Sequence, residues 1–413
     1  MAEHAPVVAV LATLDTKGRE VGWLCEQVVV HGCKPLVMDV GVIGRPALHA
    51  DVTREQVCQA GGVSLAELLM SPTRQGAAPV VVGGACQLLG QRVARGEVQA
   101  VVGIGGTQGT STCTAIMQTL PYGFPKVMVS TVAAGDVSAF VGIKDVTMMF
   151  SVGDILGLNP LLRRILANAA AAACGMARVG VPSAPKAGGR PVVGMTNLGV
   201  LTDGALRAVA RLESKGFEVV VFHAVGSGGR AMERMLRDGM LGAVFDYALG
   251  EISDELFGGL RAGGPDRLKA AAELSLPQVL VPGGTEHVGL FVPANTVPER
   301  WRDHQHVFHS PVILAPRLSA DELRQVAREI GKRLVAARGR AVMFLPRRGT
   351  SRYAVPGGPL HEPAGDAAFF AELKAALPRT IPVEERDMGA EDPAFVDECV
   401  DRLAALVEAG APR

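Results

Sequence analysis

The stretch Val101–Thr114, VVGIGGTQGTSTCT, constrains this chain more than any other. A short apolar run, Ala100–Ile104, reads as a buried strand. It breaks at Gly105 and Gly106, then passes Thr107, Gln108, Gly109 and Thr110 into a small-residue segment able to start a helix. Glycines there let successive backbone N–H groups point at one spot. The helix that follows adds unsatisfied donors and the positive end of its dipole. Such a concavity holds phosphate or carboxylate. A tight turn with no ligand is the simpler reading of one Gly-rich turn, but the hydroxyls of Thr107, Thr110 and Ser111 tip the balance to an anion site, with a nucleotide as a candidate ligand. No lysine follows the glycines, so this is not the GxxxxGK(S/T) loop, nor does it open the chain at its first strand as GxGxxG does.

Strands alternating with helices surround this turn. Val7–Ala12 is nearly all apolar, as a strand buried on both faces of a parallel sheet has to be. It ends at Thr13–Gly18, and Val21, Leu24, Val28 and Val29 follow at helical spacing. Lys34–Val42 is the next strand, ending among Asp39, Gly41 and Gly44, and Lys126–Ser130 leads into Thr131–Asp136. This alternation predicts a mainly parallel α/β sheet, whose ligands bind at the carboxyl ends of the strands. Asp15, Lys17, Asp39, the Gly105–Thr110 turn and Ser130–Asp136 all share that address.

Residues 181–190, rich in Pro, Gly and Ser, read as a linker between an N-terminal domain (1–180) and a C-terminal α/β domain (191–413). A chain of 413 residues is too long for one ordinary core. The second half repeats the layout, with strands expected at Pro191–Met195, Glu218–His223, Ala243–Tyr247, Pro277–Val281 and Ala341–Pro346. VVGIGGT and VLVPGGT, each late in its half, match well enough to point to an internal duplication. A helix over Asp321–Ala337 starts from Ser319 or Asp321 as its cap.

Net charge is +0 with no basic run, so no nucleic-acid stripe is expected. The seven cysteines show no paired spacing and read as reduced thiols. The alanine-rich run Leu166–Ala177 is too short to span a bilayer, and the N-terminus has no basic leader, so a cytoplasmic protein free of the membrane is expected.

LATLDTKGRE, GIGGTQGTSTCTAIMQTLP, KVMVSTVAAGDVSAFVG, SVGDILGLN and TVPERW occur in order along nearly the whole chain. Together they resemble the bacterial and plant family that includes the ATP-binding N-terminal domain of the tomato tobamovirus-resistance protein. The resemblance implies two Rossmann-like domains, a homodimer, and ATP bound with magnesium in the N-terminal domain. Carried over by position, the nucleotide contacts fall on Asp15, Thr16 and Lys17, on Gly105, Gly106, Thr107, Gly109 and Thr110, and on Thr131 and Asp136. Gln108 stands where the family has glycine, and its side chain narrows the cradle.

Lys17 is suited to neutralise phosphate charge, and Asp15 or Asp136 to hold magnesium, which takes one or two carboxylates alongside phosphate oxygens. A surface lysine and two helix-start aspartates are the plainer alternative. Glu286 and His287, after the second glycine turn, are the acid/base candidates, with Glu251 and Ser351 behind them. His304, His306 and His309 alternate wrongly for a three-ligand metal site and read as a polar strand. The preferred function is an ATP-dependent enzyme acting on a small carboxylate-bearing metabolite in an interdomain cleft. A non-catalytic ATP-binding protein gripping a macromolecular partner, and a nucleotide-independent lyase or hydrolase, stay open.

Overall fold

Apolar runs of five or six residues, too short for helices and closed by glycine or polar turns, become the central strands. The computed structural model describes residues 5–70, 74–179 and 190–410, so the expected linker lies, apart from Arg190, outside the described residues. The chain divides into two units, Met1–Ser183 and Ala184–Arg413.

In chain order the first unit comprises β1 (Val7–Ala12), α1 (Leu14–Val30), β2 (Lys34–Asp39), α2 (Arg54–Ala60), α3 (Leu65–Met70), α4 (Arg74–Ala94), β3 (Ala100–Gly105), α5 (Thr107–Thr119), β4 (Lys126–Ser130), α6 (Ser138–Val141), β5 (Thr147–Phe150) and α7 (Pro160–Val179). Its five strands are all parallel, in the order β2-β1-β3-β4-β5. Strand alternation divides the core. Val8, Val10 and Ala12 face α1 and the small-residue stripe of α7, whereas Ala9 and Leu11 face α2, α4 and α5. At Gly103 a Cβ would stand 2.8 Å from Met128 Sδ and 2.9 Å from Cys113 Cβ, so only glycine lets α5 settle onto β3 and β4.

The second unit continues with β6 (Val193–Asn197), α8 (Thr202–Ser214), β7 (Val219–His223), α9 (Ser227–Arg237), β8 (Ala243–Ala248), α10 (Gly250–Phe257), α11 (Ala270–Glu273) and β9 (Gln278–Gly283). A small antiparallel sheet of β10 (Leu290–Phe291), β11 (His306–Ser310) and β12 (Ile313–Pro316) follows. The unit closes with α12 (Ala320–Arg333), β13 (Ala341–Pro346), α13 (Pro363–Ala376), β14 (Val383–Arg386) and α14 (Pro393–Ala409). Ser319, not Asp321, caps α12, in a reciprocal capping box with Glu322.

The main sheet of the second unit is parallel, in the order β14-β13-β9-β8-β6-β7. Counted from its own first strand, it repeats the first unit's order and adds one strand at the edge. The duplication therefore holds at the level of topology. The two glycine turns are nevertheless not counterparts. GIGGT follows the third strand of its unit and starts a helix, whereas PGGT follows the fourth strand, β9, and runs on to β10. Likeness of letters put the equivalence one strand out.

The second unit buries a charge cluster beside its core. Arg267, fully buried, donates to both oxygens of Asp246 at 2.5 and 2.6 Å and to Glu251 at 2.7 Å, with Glu233 at 3.4 Å. Burial pushes the Glu233 carboxyl up, against the pull of Arg267. Removing the one cation strands buried carboxylates. Arg267→Met is therefore expected to lower the stability of this unit by about 3–5 kcal/mol in urea unfolding; a loss under 1 kcal/mol would show that the cluster is not held by its arginine.

Candidate functional site

A cavity of about 410 Å³ opens at the carboxyl ends of β1, β2 and β3. The order of the sheet reverses between β1 and β3, and in doubly wound sheets ligands bind at that point. Its walls include Thr13, Asp15, Thr16 and Lys17 from the start of α1, and Gly105, Gly106, Thr107, Gln108 and Gly109 at the start of α5. Seven of the ten expected nucleotide contacts are thus gathered into one cavity by the fold. Val40, Gly41, Val42 and Ile43 after β2, with Ala77 and Thr112, complete it. The apolar wall had no motif to mark it; its signal was the expected strand Lys34–Val42, which ends early, at Asp39, and frees these residues to bend over the site.

Asp39 holds that bend. Buried at the end of β2, its carboxylate accepts the Leu14 N–H of α1 at 3.2 Å and the Gly41 N–H at 2.9 Å, and pairs with Arg54 Nη2 at 2.7 Å. Arg54 in turn donates to the carbonyls of Ile43 and Gly44. The buried pair so clamps the Val40–Gly44 loop, and Asp39 itself is spent on this work. Gly44, at φ +73, has the Asp15 side chain 2.8 Å from where its own Cβ would stand, so a side chain there would displace Asp15.

The α5 turn owes Gly105 to packing rather than to unusual dihedrals. Gly106, the N-cap, sits at φ −74 with no side-chain cap, and the first turn carries no acidic residue. A Cβ on Gly105 would meet Gly109 Cα at 2.7 Å, whereas on Gly106 the nearest atom would be Thr131 Oγ1 at 3.8 Å. The N–H groups of Thr107, Gln108 and Gly109 find no acceptor among the described residues.

Three expected contacts lie off the cavity wall. Thr110 is fully buried, its hydroxyl 2.7 Å from Ser130 Oγ, so it fastens α5 to β4. Thr131 abuts Gly106 from the end of β4. Asp136 is exposed and accepts the Ser138 N–H at 2.9 Å, a bond that holds its carboxyl below the usual range. Of the two aspartates proposed for magnesium, Asp15 alone faces the cavity. No group of three potential metal ligands occurs among the described residues. His304, His306 and His309 bond instead to the Arg317 carbonyl, the His304 carbonyl and the Tyr353 hydroxyl.

In the second unit Glu286 and His287 do meet, Oε1 to Nδ1 at 2.9 Å, but both are buried. Glu286 also accepts the hydroxyls of Thr350, at 2.7 Å, and Ser351. Burial alone would raise its carboxyl; the His287 imidazole and the two hydroxyls outweigh that and hold it at about 2. His287 Nε2 lies 3.2 Å from Arg261 Nη1, which can only donate, so the Nδ1 proton goes to Glu286. Arg261 is anchored by Asp254 at 2.6 Å. Every proton-transfer atom of the pair is already committed.

Three other helix starts at the carboxyl edge of this sheet are covered from within. Glu251 accepts the N–H groups of Gly226, at 2.6 Å, and Gly229, at 3.1 Å, at the start of α9. Glu391 accepts those of Asp203 and Gly204 at the start of α8, at 3.0 and 3.4 Å. The Gly284 carbonyl lies 2.6 Å from where a Gly250 Cβ would stand, laying the turn after β9 across the start of α10.

The sign of the pH dependence at Glu286 follows from its lowered pKa. Its contribution is present above its unfolded value of 4.5 and is lost as the pH falls toward about 2. Glu286→Gln is therefore expected to be less stable than the parent at neutral pH, with a gap that narrows between pH 5 and pH 2. Denaturant unfolding of both proteins across that range checks it; parallel curves would overturn it.

Models of the Uncharacterised protein family (UPF0261) match both units, the N-terminal domain model over residues 6–181 and the C-terminal domain model over 190–407. A UPF0261 protein of Clostridium tetani is 35% identical over 403 residues, covering 97% of this chain and 99% of that protein. The ToMV resistance protein Tm-1(GCR237) of Solanum lycopersicum is 34% identical over 284 residues, 68% of this chain and 38% of that protein. Among solved structures, a UDP-N-acetylglucosamine 2-epimerase from Rickettsia bellii aligns over 67% of this chain and 79% of its own at 10% identity, with a TM-score of 0.23. No helix among the described residues is long and apolar enough to cross a membrane. With both family models matched in order, and relatives aligned from end to end, the chain belongs to the UPF0261 family.

Proposed function

We propose that the N-terminal unit binds ATP with magnesium in the cavity at the ends of β1, β2 and β3. The observation that carries this reading is the start of α5. Its first-turn N–H groups face a cavity, whereas at the starts of α8 and α9 the chain supplies its own carboxylate. An open helix N-terminus at a sheet switch point is a ready anion site. Thr107 and Gln108 add polar side chains, and the volume suits a nucleotide better than a lone phosphate. Val40, Val42 and Ile43 offer an apolar wall for a base. Asp15, at the start of α1 and lining the same cavity as the α5 turn, is the carboxylate that would hold magnesium against phosphate oxygens.

Asp39 bears on how the ligand is gripped. The acidic residue at the end of a second strand is where many dinucleotide folds hold a ribose hydroxyl, but here that carboxylate is buried in its bonds to Arg54, Leu14 and Gly41. Recognition therefore rests on phosphate and base. The committed protons of Glu286 and His287 leave no free acid or base there, so the reading stops at nucleotide binding and does not extend to a reaction through that pair.

ATP–Mg at a hundred times its Kd is expected to stabilise the first unit by about 2.7 kcal/mol, read as a raised melting temperature. Gly106→Val fits the backbone at φ −74, keeps the fold by circular dichroism, covers the cradle and loses that shift. No shift with millimolar ATP–Mg, ADP or GTP would overturn the nucleotide reading. A normal shift in Gly106→Val would move the cradle elsewhere. ATP turnover stimulated by a small organic acid would make the protein an enzyme; binding without turnover across a broad panel favours the non-catalytic alternative.

A further inference from the structure

Lys17 belongs to the cavity wall, yet its amine donates to the Ile155 carbonyl, 138 positions along the chain. Ile155 lies in the segment 151–159 that joins β5 to α7. One turn further along α1, buried Glu20 accepts the Gly157 N–H at 2.6 Å. The first helix therefore holds this segment at two points three residues apart, and the first of them is a cavity residue.

The segment so held is under load. Val152 adopts φ +63, a conformation in which a β-branched residue is strained. The Ile155 side chain is buried in the core and Leu158 packs against it, whereas Val152 is 63% and Leu156 75% exposed. Local bonds, Ser151 Oγ to the Gly153 carbonyl and Gly153 N–H to the Ser151 carbonyl, both at 2.7 Å, tie the strained turn to itself. The segment's ends are tied by the Ser151 N–H to the Ser130 carbonyl at 3.0 Å and by Leu158 against the core, and between them, beside the Ile155 side chain, the attachments run through Lys17 and Glu20.

A neutral carbonyl is the weaker partner for an ammonium beside a multiply charged anion, because the anion adds direct charge–charge attraction to the hydrogen bond. The lysine stem has four rotatable carbons and three donors, so its head can swing between acceptors. We propose that Lys17 is an anion-operated latch: without ligand, it pins the strained segment 151–158 through the Ile155 carbonyl, and an anion at the α5 turn draws the ammonium away and loosens that segment. The ligand half of this proposal rests on the nucleotide reading above; the latch itself does not.

Hydrogen exchange read by mass spectrometry on the full chain separates the two. In the ligand-free protein, Lys17→Met is expected to speed exchange over 151–158 about fivefold, the loss of one net hydrogen bond. Arg19→Met, exposed on the same helix, is expected to leave it unchanged. Unchanged exchange in Lys17→Met, or equal acceleration in Arg19→Met, overturns the latch. Saturating pyrophosphate or ATP–Mg on the parent protein is expected to produce the same acceleration in the same peptides. If either probe raises the melting temperature but slows or leaves untouched that exchange, anion control is overturned. If neither probe binds, the nucleotide reading and the anion control fall together, while the Lys17→Met arm still decides the latch.

Discussion

A parallel sheet with helical crossovers delivers the starts of its helices to one edge, and each start brings N–H groups that have lost their helical acceptors. How those donors are satisfied divides this protein. In the second unit the chain reaches back with its own acids, Glu251 onto α9 and Glu391 onto α8, while the turn after β9 lies over α10. In the first unit Asp39 serves α1, but α5 has only a glycine cap and a cavity in front of it. The starts of α8 and α9 are thus closed by the chain's own acids, whereas the start of α5 is left open to a cavity.

Buried charge is the means of closure in both units. Asp39 with Arg54 bends the loop after β2, and Arg267 with Asp246, Glu251 and Glu233 ties β8, α9 and α10 together. Such groups cost several kcal/mol each in lost hydration, and geometry and added hydrogen bonds have to offset it. They do so here: Glu251 meets Arg267 with one oxygen and two backbone N–H groups with the other. The result is a set of turns fixed in place. In the first unit, fixed turns shape a cavity; in the second, they lie over the starts of α8, α9 and α10.

The acid/base pair shows the same economy of wiring. Glu286 and His287 are neighbours in sequence and in space, yet Thr350, Ser351 and Arg261 arrive from distant segments and take up every proton-bearing or proton-accepting atom. A titratable pair beside a glycine turn looks like a reactive site until its partners are known. Burial and a carboxyl held at about 2 make it a fastening between the β9 turn and the loop after β13.

Strand positions, the parallel α/β class and the glycine turn from strand to helix were legible because they are local. An apolar run of five residues with glycine behind it has few other ways to fold, and Gly105–Gly106–Thr107 carries its strand-to-helix turn in its own letters. Asp15, Thr16, Lys17 and the Gly105–Gly109 stretch met in one cavity for the same reason, since every carboxyl end lies on one edge of a parallel sheet. What only the tertiary structure decided is where each side chain spends its hydrogen bonds. Thr110 turns inward to Ser130, Asp136 closes its own turn, Asp39 is claimed by Arg54, and PGGT belongs to a fourth strand rather than a third. Apart from Asp136, whose partner Ser138 is two residues on, each of these depends on a segment far along the chain. Sequence spacing carries the period of a helix or a strand, but not the distance between segments that meet only after the sheet has formed.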